Sequence, residues 1–594
     1  MKIITTEELA SVTKLDKLKM PGLASFLMEF MKLNEINQVF SNSMHIDGLP
    51  FIDSILDQLN VSVEISEAEL ANIPTKGPFI AVANHPFGGI EGLILLKVIC
   101  KVRPEFKVMA NFLLNKIPNL KEFFIPVNPF EKVSSVSSVG GMKQAMESLR
   151  SGVPMGIFPA GEVSTYRTSV QRVTDKKWSP IVGKMIQKTE YPVLPVYFHG
   201  NNGLLFNILS FIHPSLRTAK LPSEFLNKKG HTIQIRIGKP VRPEEYKPYH
   251  NPEHLLNFIR AKTYALGTGI EVKSFFKRKN PFKFNKVPQA IVPAQAKSVL
   301  EKEVASLRSE YLMTTEKNYE VFVCPINKIP HIIREIGRLR EITFREVGEG
   351  TQKKIDLDEF DLYYNHLFIW DRDENQIVGS YRLGKGKDIF YSYGLKGFYL
   401  STLFKIRKDF FPIMKESIEL GRSFIRKEYQ NRPLSLFLLW KGILYFLLKN
   451  PEYRYLIGPV SISNNFSKFS SSLLVDFLMK NHFDQTLSEM VSPRKKFRIN
   501  FDNLDPSLLL KDSDNIKSLD SLISEIEINH NKVPVLLRQY IAINSKLIGF
   551  NVDPKFANCL DGFLIVDIHE IPEEKVRMLS KELNPPEEAA IKAD

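Results

Sequence analysis

The run N-H-P-F-G-G-I-E-G, Asn84 to Gly92, carries the residue types needed to activate an alcohol. An imidazole can take the proton from a hydroxyl as it attacks a thioester, and a carboxylate on the other ring nitrogen fixes the tautomer and stabilises the imidazolium. His85 is the candidate base and Glu91 the candidate orienting acid. Gly88 and Gly89 permit a tight turn that folds Glu91 back toward the histidine. The helix expected to follow would aim its first N–H groups at developing negative charge. The bland alternative is a histidine that only hydrogen-bonds a turn.

About 70 residues on comes F-P-A-G-E-V-S, Phe158 to Ser164, followed by V-L-P-V, Val193 to Val196, and H-G-N-N. Each lies where a short apolar run meets a polar turn. In the second half, R-E-I-T-F-R-E-V-G-E-G-T precedes D-L-D-E-F-D-L-Y-Y-N-H-L-F-I-W-D and I-V-G-S-Y-R-L-G. Then follow E-L-G-R-S-F-I, Glu419 to Ile425, L-W-K-G-I, Y-L-I-G-P-V-S-I and V-P-V-L-L-R-Q-Y. If these residues form a site for an attacking amine, acids beside the pocket hold the ammonium and receive its proton. Asp358, Asp361 and Glu419 are candidates, with Arg422 for an acceptor carboxylate. In a regular strand, positions 419 and 422 point to opposite faces, so the two are not a simple local ion pair. The competing reading makes D-L-D-E-F-D a solvated acidic turn, and Glu419 with Arg422 a buried structural network.

The elements that must position these residues follow from periodicity. Residues 1–70 read as a helical segment, with Leu23, Phe26, Leu27, Phe30 and Met31 at helical spacing within Pro21 to Leu33. From Gly77, P-F-I-A-V-A, M-G-I, V-L-P-V-Y-F and I-Q-I-R-I read as strands alternating with helices, which predicts an α/β sheet over 71–271. Residues 272–297, rich in Lys, Pro and Asn, read as a linker. Residues 298–594 form a second α/β domain. It opens on a helix near 296–310. Strands follow at 319–323, at H-L-F-I-W-D and Q-I-V-G-S-Y-R-L-G around a D-R-D-E-N turn, and at 418–425, 454–460 and 562–568. Residues 512–524 read as a solvated connector. The apolar run Leu434 to Leu448, broken by Lys441, reads as a buried core helix rather than an interfacial one.

Composition narrows the function classes. A formal charge of +14 attracts polyanions such as nucleic acid, anionic lipid or an acidic carrier protein. Zinc-finger, RNP and helix-turn-helix patterns are not evident, which disfavours nucleic acid. Three scattered cysteines, Cys100, Cys324 and Cys559, fit a reducing cytosol and no structural metal. The opening M-K-I-I-T-T-E-E-L-A has no apolar secretory core. No uncharged run reaches the roughly 18–20 residues needed to span a bilayer.

The three blocks of the first half, in their order, resemble the glycerolipid acyltransferase family that includes the 1-acylglycerol-3-phosphate acyltransferases, over roughly residues 70–245. The resemblance implies that His85 is the general base and Glu91 its orienting acid. Gly88, Gly89, Phe158, Pro159, Gly161, Glu162 and Arg167 are implied as acceptor-binding residues. This chain departs from the family: five residues separate His85 from its acid rather than four, and that acid is Glu rather than Asp. Ala160, Glu162 and Val163 stand where the family has Glu, Thr and Arg. Because Val163 cannot grip a phosphate, the expected acceptor is a hydroxyl on a less anionic lipid, such as the 3-hydroxyl of a fatty acyl amide. Arg167 is a candidate to substitute for the missing arginine.

The second-half runs resemble the ornithine N-acyltransferases of ornithine-lipid synthesis, and more distantly the acyl-homoserine-lactone synthases, over about 320–565. That resemblance implies a GNAT-like fold using acyl carrier protein thioesters. A Gly-rich pyrophosphate loop is not evident, which favours the carrier protein over CoA. The chain as a whole resembles the fused, bifunctional ornithine-lipid synthases: two α/β acyltransferase domains, the C-terminal one forming the amide and the N-terminal one the ester. The expected partners are acyl carrier protein, an amino acid such as ornithine or glycine, and the inner face of the cytoplasmic membrane, bound peripherally from the cytoplasm. No bound cofactor is expected beyond the acyl carrier protein or acyl-CoA co-substrate. Three alternatives remain open: a glycerophospholipid acyltransferase with an accessory GNAT-like domain, a maker of an exported acyl-amino-acid signal, and a haemolysin-like lipid-binding protein without enzymatic activity.

Overall fold

The computed structural model describes residues 32–111, 117–127, 136–167, 172–203, 206, 207, 210, 214–268, 288–501, 504–509, 515–554, 556 and 558–580. Most of the helix expected over Pro21 to Leu33 and residues 272–287 of the expected linker lie outside them. The chain divides into two compact units. One comprises residues 1–275, 501–511 and 521–530, and the other the remainder.

The first unit is built on a seven-stranded sheet. In chain order its strands are β1 (Ser62–Glu64), β2 (Ile80–Ala83), β3 (Lys107–Asn111), β4 (Phe124–Val127), β5 (Met155–Ile157), β8 (Val193–Phe198) and β9 (Thr232–Ile237). A small hairpin, β6 (Thr165–Arg167) with β7 (Arg172–Thr174), stands apart. The sheet order is β1-β9-β8-β2-β5-β3-β4. Every neighbouring pair is parallel except β8 with β9. All four residues of β2 are buried, as the centre of a covered parallel sheet requires. Helix Ile90–Ile99 buries every residue but Lys97. In such sheets functional groups collect beyond the carboxyl ends of the strands, and His85 lies two residues past the end of β2.

The second unit carries an eight-stranded sheet, ordered β10-β11-β12-β13-β15-β16-β19-β18. Its strands are β10 (Leu312–Glu316), β11 (Tyr319–Pro325), β12 (Asn365–Asp371), β13 (Gln376–Lys385), β15 (Ser417–Ile425), β16 (Tyr455–Ile462), β18 (Lys546–Asp553) and β19 (Cys559–Asp567). A side ribbon pairs β14 (Phe404–Ile406) with β17 (Val491–Pro493). The strands read from the sequence are present, and β12 pairs with β13 around the expected turn. Pairing is antiparallel throughout except between β15 and β16, which run parallel. That parallel pair joins only 417–419 to 455–457. Beyond those residues, β15 is hydrogen-bonded to β13 on one side and β16 to β19 on the other.

One reading holds here and others change. Leu434 to Leu448 is a core helix, Pro433–Leu448, with Leu438, Leu439 and Ile443 buried. Among the described residues no helix is long and apolar enough to cross a membrane. The segment read as a solvated connector instead holds helix Ile516–Ile526, which buries Leu519, Leu522, Ile523 and Ile526. Its apolar residues recur at helical spacing among Ser and Asp, and the polar majority masked that period. Residues 501–511 and 521–530, read as part of the second domain, group with the first unit. There Arg236 of β9 donates to the carbonyls of Glu525 and Ile526 at 3.2 Å each. At the other end of the expected linker, Gln289, Val292 and Gln295 are hydrogen-bonded to Gln352, Lys354 and Glu335 of the second unit.

Candidate active sites

In the first unit, Asn84 extends the β2–β8 ladder with its side chain. It donates to the Phe198 carbonyl at 2.9 Å and accepts from the Phe198 N–H at 2.7 Å. This fixes the turn that presents His85. His85 Nδ1 lies 2.7 Å from Glu91 Oε1, with the imidazole 19% exposed and Glu91 fully buried. Glu91 Oε1 accepts N–H groups from Phe87 at 2.9 Å and Gly88 at 2.8 Å, and Oε2 accepts from Gly89 at 2.9 Å. Burial opposes the Glu91 carboxylate, but the His85 imidazole and these amides outweigh it and hold the carboxyl down at about 2. Burial disfavours the imidazolium of His85, and the Glu91 carboxylate outweighs that to raise its pKa. The amides ahead of the helix therefore serve Glu91, rather than an incoming oxyanion as the sequence suggested.

Gly88 has φ +100°, and a Cβ there would meet Leu221 Cδ2 at 2.5 Å and Val163 Cγ2 at 2.9 Å. Gly89 is extended at φ 176° and needs no glycine for its conformation. The two sequence blocks meet through the Ser164 N–H, which donates to the His85 carbonyl at 2.8 Å. Phe158 covers the imidazole, with ring centroids 4.6 Å apart. Pro159 accepts from the Ser179 N–H at 2.9 Å, and Gly161 turns at φ +66°. Glu162 faces Arg217 at 3.2 Å, Arg167 at 3.5 Å and Lys176 at 3.9 Å. Arg167 is thus ion-paired within the loop.

Sequence reading missed Asp175. It accepts from the His85 N–H at 3.2 Å, from the Ser164 hydroxyl, and from Trp178 Nε1 at 2.9 Å. Its only local mark in the sequence is a tryptophan three residues on, which by itself does not single it out.

In the second unit, β15 and β16 diverge around a cavity of about 620 Å³. That size suits a small-molecule site. Residues 420–425 of β15 and Pro459, Val460 and Ser461 of β16 line it. A bulge interrupts the β13–β15 register, and within it Arg422 takes φ +51°. The simple alternation assumed for 419 and 422 stops there. Arg422 reaches the cavity, where its guanidinium sits 5.0 Å from the Tyr399 ring and 4.4 Å from the Phe556 ring.

The acids read from D-L-D-E-F-D are not a solvated turn. Asp361 is bound by Arg340 at 2.7 Å and lies 3.4 Å from Arg382, and Arg340 chiefly overcomes burial to hold its carboxyl far below the usual range. Asp358 pairs with Arg382 at 2.6 Å and Arg422 at 3.3 Å, and Asp356 with Arg422 at 3.3 Å. Three arginines and three aspartates neutralise one another, as buried charges must. Glu419 accepts from the Tyr364 hydroxyl and from the N–H groups of Tyr399 at 3.0 Å and Leu400 at 2.7 Å. It is 1% exposed and stands behind Tyr399, which lines the cavity. The carboxylates on the cavity wall include Glu349, Asp553 and Asp561, none of them singled out from the sequence. An acid inside the apolar strand C-L-D-G-F-L-I-V was the signal for Asp561.

The model of a family described as Acyltransferase matches residues 8–272, and that of the Acetyltransferase (GNAT) domain matches residues 339–441. Among relatives, the glycine N(alpha)-acyltransferase of Bacteroides thetaiotaomicron is 27% identical over 303 residues, 48% of this chain and 88% of that protein. The lyso-glycine lipid O-acyltransferase of Phocaeicola vulgatus is 26% identical over 251 residues, 41% of this chain and 87% of that protein. A solved structure, the 1-acyl-sn-glycerophosphate (LPA) acyltransferase PlsC of Thermotoga maritima, aligns at 18% identity and TM-score 0.25, covering 42% of this chain and 90% of that one. The chain is an enzyme that transfers acyl groups, with an acyltransferase-like N-terminal region followed by a GNAT-like C-terminal domain.

Proposed function

We propose that the chain builds a diacylated amino-acid lipid. The second unit forms an amide between an amino acid and a 3-hydroxyacyl group, and the first unit esterifies the 3-hydroxyl of that product. The supporting observation is the presence of two unlike sites in one chain. One is a histidine–carboxylate pair at a strand end. The other is a cavity between diverging strands, lined by an arginine and carboxylates. Relatives named for an amide step and for an ester step on a glycine lipid point the same way.

In the ester step, Glu91 holds the Nδ1 side of His85, leaving Nε2 to take the hydroxyl proton. The hydroxyl oxygen bonds to the thioester carbon, the C–S bond breaks, and the proton passes from Nε2 to the departing thiolate. Val163 packs beside Gly88 and Arg167 is paired to Glu162, which disfavours a glycerol phosphate acceptor. In the amide step, the unpaired inner edges of β15 and β16 offer backbone groups to an extended, amide-bearing thioester arm. Glycine is the favoured amino acid, from the names of both relatives. Ornithine is the second reading, favoured by three carboxylates on one cavity wall that can hold a second ammonium. The donor is an acyl carrier protein thioester, and the charge of +14 suits both that acidic partner and a peripheral position on an anionic membrane surface.

The test is expression in a host that lacks amino-acid lipids, followed by mass spectrometry of its lipids. The whole chain should yield a diacylated amino-acid lipid, and His85→Ala should accumulate the monoacyl form. A diacyl product from His85→Ala would overturn the assignment of the ester site.

A further inference from the structure

The acids nearest Arg422 are poor receivers for an amine proton. Asp356, Asp358 and Asp361 are each bound to arginine, and Glu419 is saturated by three donors. Asp561 differs. It lies on β19, opposite Ser461 of β16 and Asn551 of β18, and lines the cavity while only 3% exposed. Its partners are a hydroxyl and a thiol rather than a cation: Ser461 Oγ at 2.7 Å, and Cys559 Sγ at 3.7 Å and 3.8 Å from the two carboxyl oxygens. Building on the amide-forming role proposed above, we infer that Asp561 is the base that takes the proton from the acceptor amine. With the first proton of the acceptor's ammonium group on Asp561, the amine nitrogen bonds to the thioester carbonyl carbon, the C–S bond breaks with its electron pair going to sulfur, and the surplus proton on nitrogen passes to the departing thiolate, leaving a neutral amide and a thiol. The proton that Asp561 has received leaves for solvent before the next turnover.

The charges around Asp561 agree with this task. Asp553 of β18, Glu349 of the loop after helix Pro330–Glu346, the Cys559 thiol and the Tyr399 phenol surround it, and Arg422 of β15 faces Glu349 and Tyr399. Burial first, then Asp553 and Glu349, push its carboxyl up to about 7, against the Ser461 hydrogen bond that lowers it. A base works best when its proton affinity lies near the operating pH. Asp561 is protonated and idle in acid, and becomes able to accept a proton as the pH rises through neutrality.

The experiment uses the full chain with glycine and, in parallel, ornithine. The donor is 3-hydroxyhexadecanoyl thioester of acyl carrier protein. N-acyl product is followed by mass spectrometry across pH, and esterification of a supplied monoacyl lipid reports on the first unit. The wild-type kcat/KM for amide formation should fall about tenfold per pH unit below neutrality. Asp561→Asn should lower it by about 100-fold or more with ester formation intact, and Asp561→Glu should restore part of it. Ser461→Ala, which removes a hydrogen bond to the carboxylate, should move the acid limb to higher pH. This variant decides the matter if Asp561→Asn does not fold. Full amide activity in Asp561→Asn, or an unmoved acid limb in Ser461→Ala, overturns the assignment. A wild-type chain that acylates neither amino acid overturns the amide-forming role itself.

Discussion

Replacing Glu91 by Gln tests the ester site at its most constrained point. The carboxylate accepts three backbone N–H groups and faces His85 Nδ1 at 2.7 Å. A Gln amide has one acceptor oxygen. With that oxygen at the Oε1 position it serves Phe87, Gly88 and His85, but its NH₂ then confronts the Gly89 N–H. Flipped, it confronts the other three. The carboxyl sits at about 2 rather than its ordinary 4.5, a difference worth about 3 kcal/mol. Because the folded value is depressed, this stabilisation is complete above an ordinary carboxyl's pKa and disappears as pH falls toward 2, with more than half gone by about pH 3. The first unit of Glu91→Gln should therefore melt lower at neutral pH, and the deficit should shrink in acid. The ester step loses more than stability, since the imidazolium formed on proton transfer no longer faces an anion. Esterification of a supplied monoacyl lipid should fall by about 10²–10⁴-fold, while amide formation by the second unit serves as the internal control. An ester rate within about threefold of wild type would refute the reasoning, because Glu91 would then be a turn-forming residue with no part in the reaction.

Gly88→Ala should destabilise the first unit by about 1–3 kcal/mol in thermal melts, since the new Cβ collides with Leu221 and Val163 at positive φ. Glu419→Ala strands the buried Leu400 N–H, at a cost of about 1–3 kcal/mol, while the Tyr364 hydroxyl keeps the Gly397 carbonyl and the Tyr399 N–H keeps the Tyr364 oxygen, each at 3.3 Å. Because it also releases Tyr399 from the cavity wall, lipid analysis should find neither the monoacyl nor the diacyl product.

Much of the site in the first unit was legible. His85, Glu91, Phe158 and Gly161 lie within two short runs, and local turn geometry is enough to bring the first pair together. Asp175, which ties those runs to each other, was not legible, because the two residues it joins, Ser164 and His85, lie 11 and 90 residues away. In the second unit the strands were readable from alternation, but the pairing of acids with bases was not. Asp358 and Asp361 were noticed for their density, and the structure shows that density answering to Arg340, Arg382 and Arg422.

The sequence by itself determined the two α/β units, four of the seven strands of the first sheet and six of the eight of the second, and the histidine–glycine–acid turn, because periodicity and turn chemistry are encoded within a few neighbouring residues; β1 lay in the segment read as helical. Tertiary structure alone decided which carboxylates line the cavity. Burial and partner choice depend on strands far apart in the chain: the divergence of β15 from β16 opens the cavity, and β19 brings Asp561 to its wall without an arginine to neutralise it. Whether a carboxylate binds a salt-bridge partner or a proton is an electrostatic property of the assembled fold, and no single stretch of residues carries it.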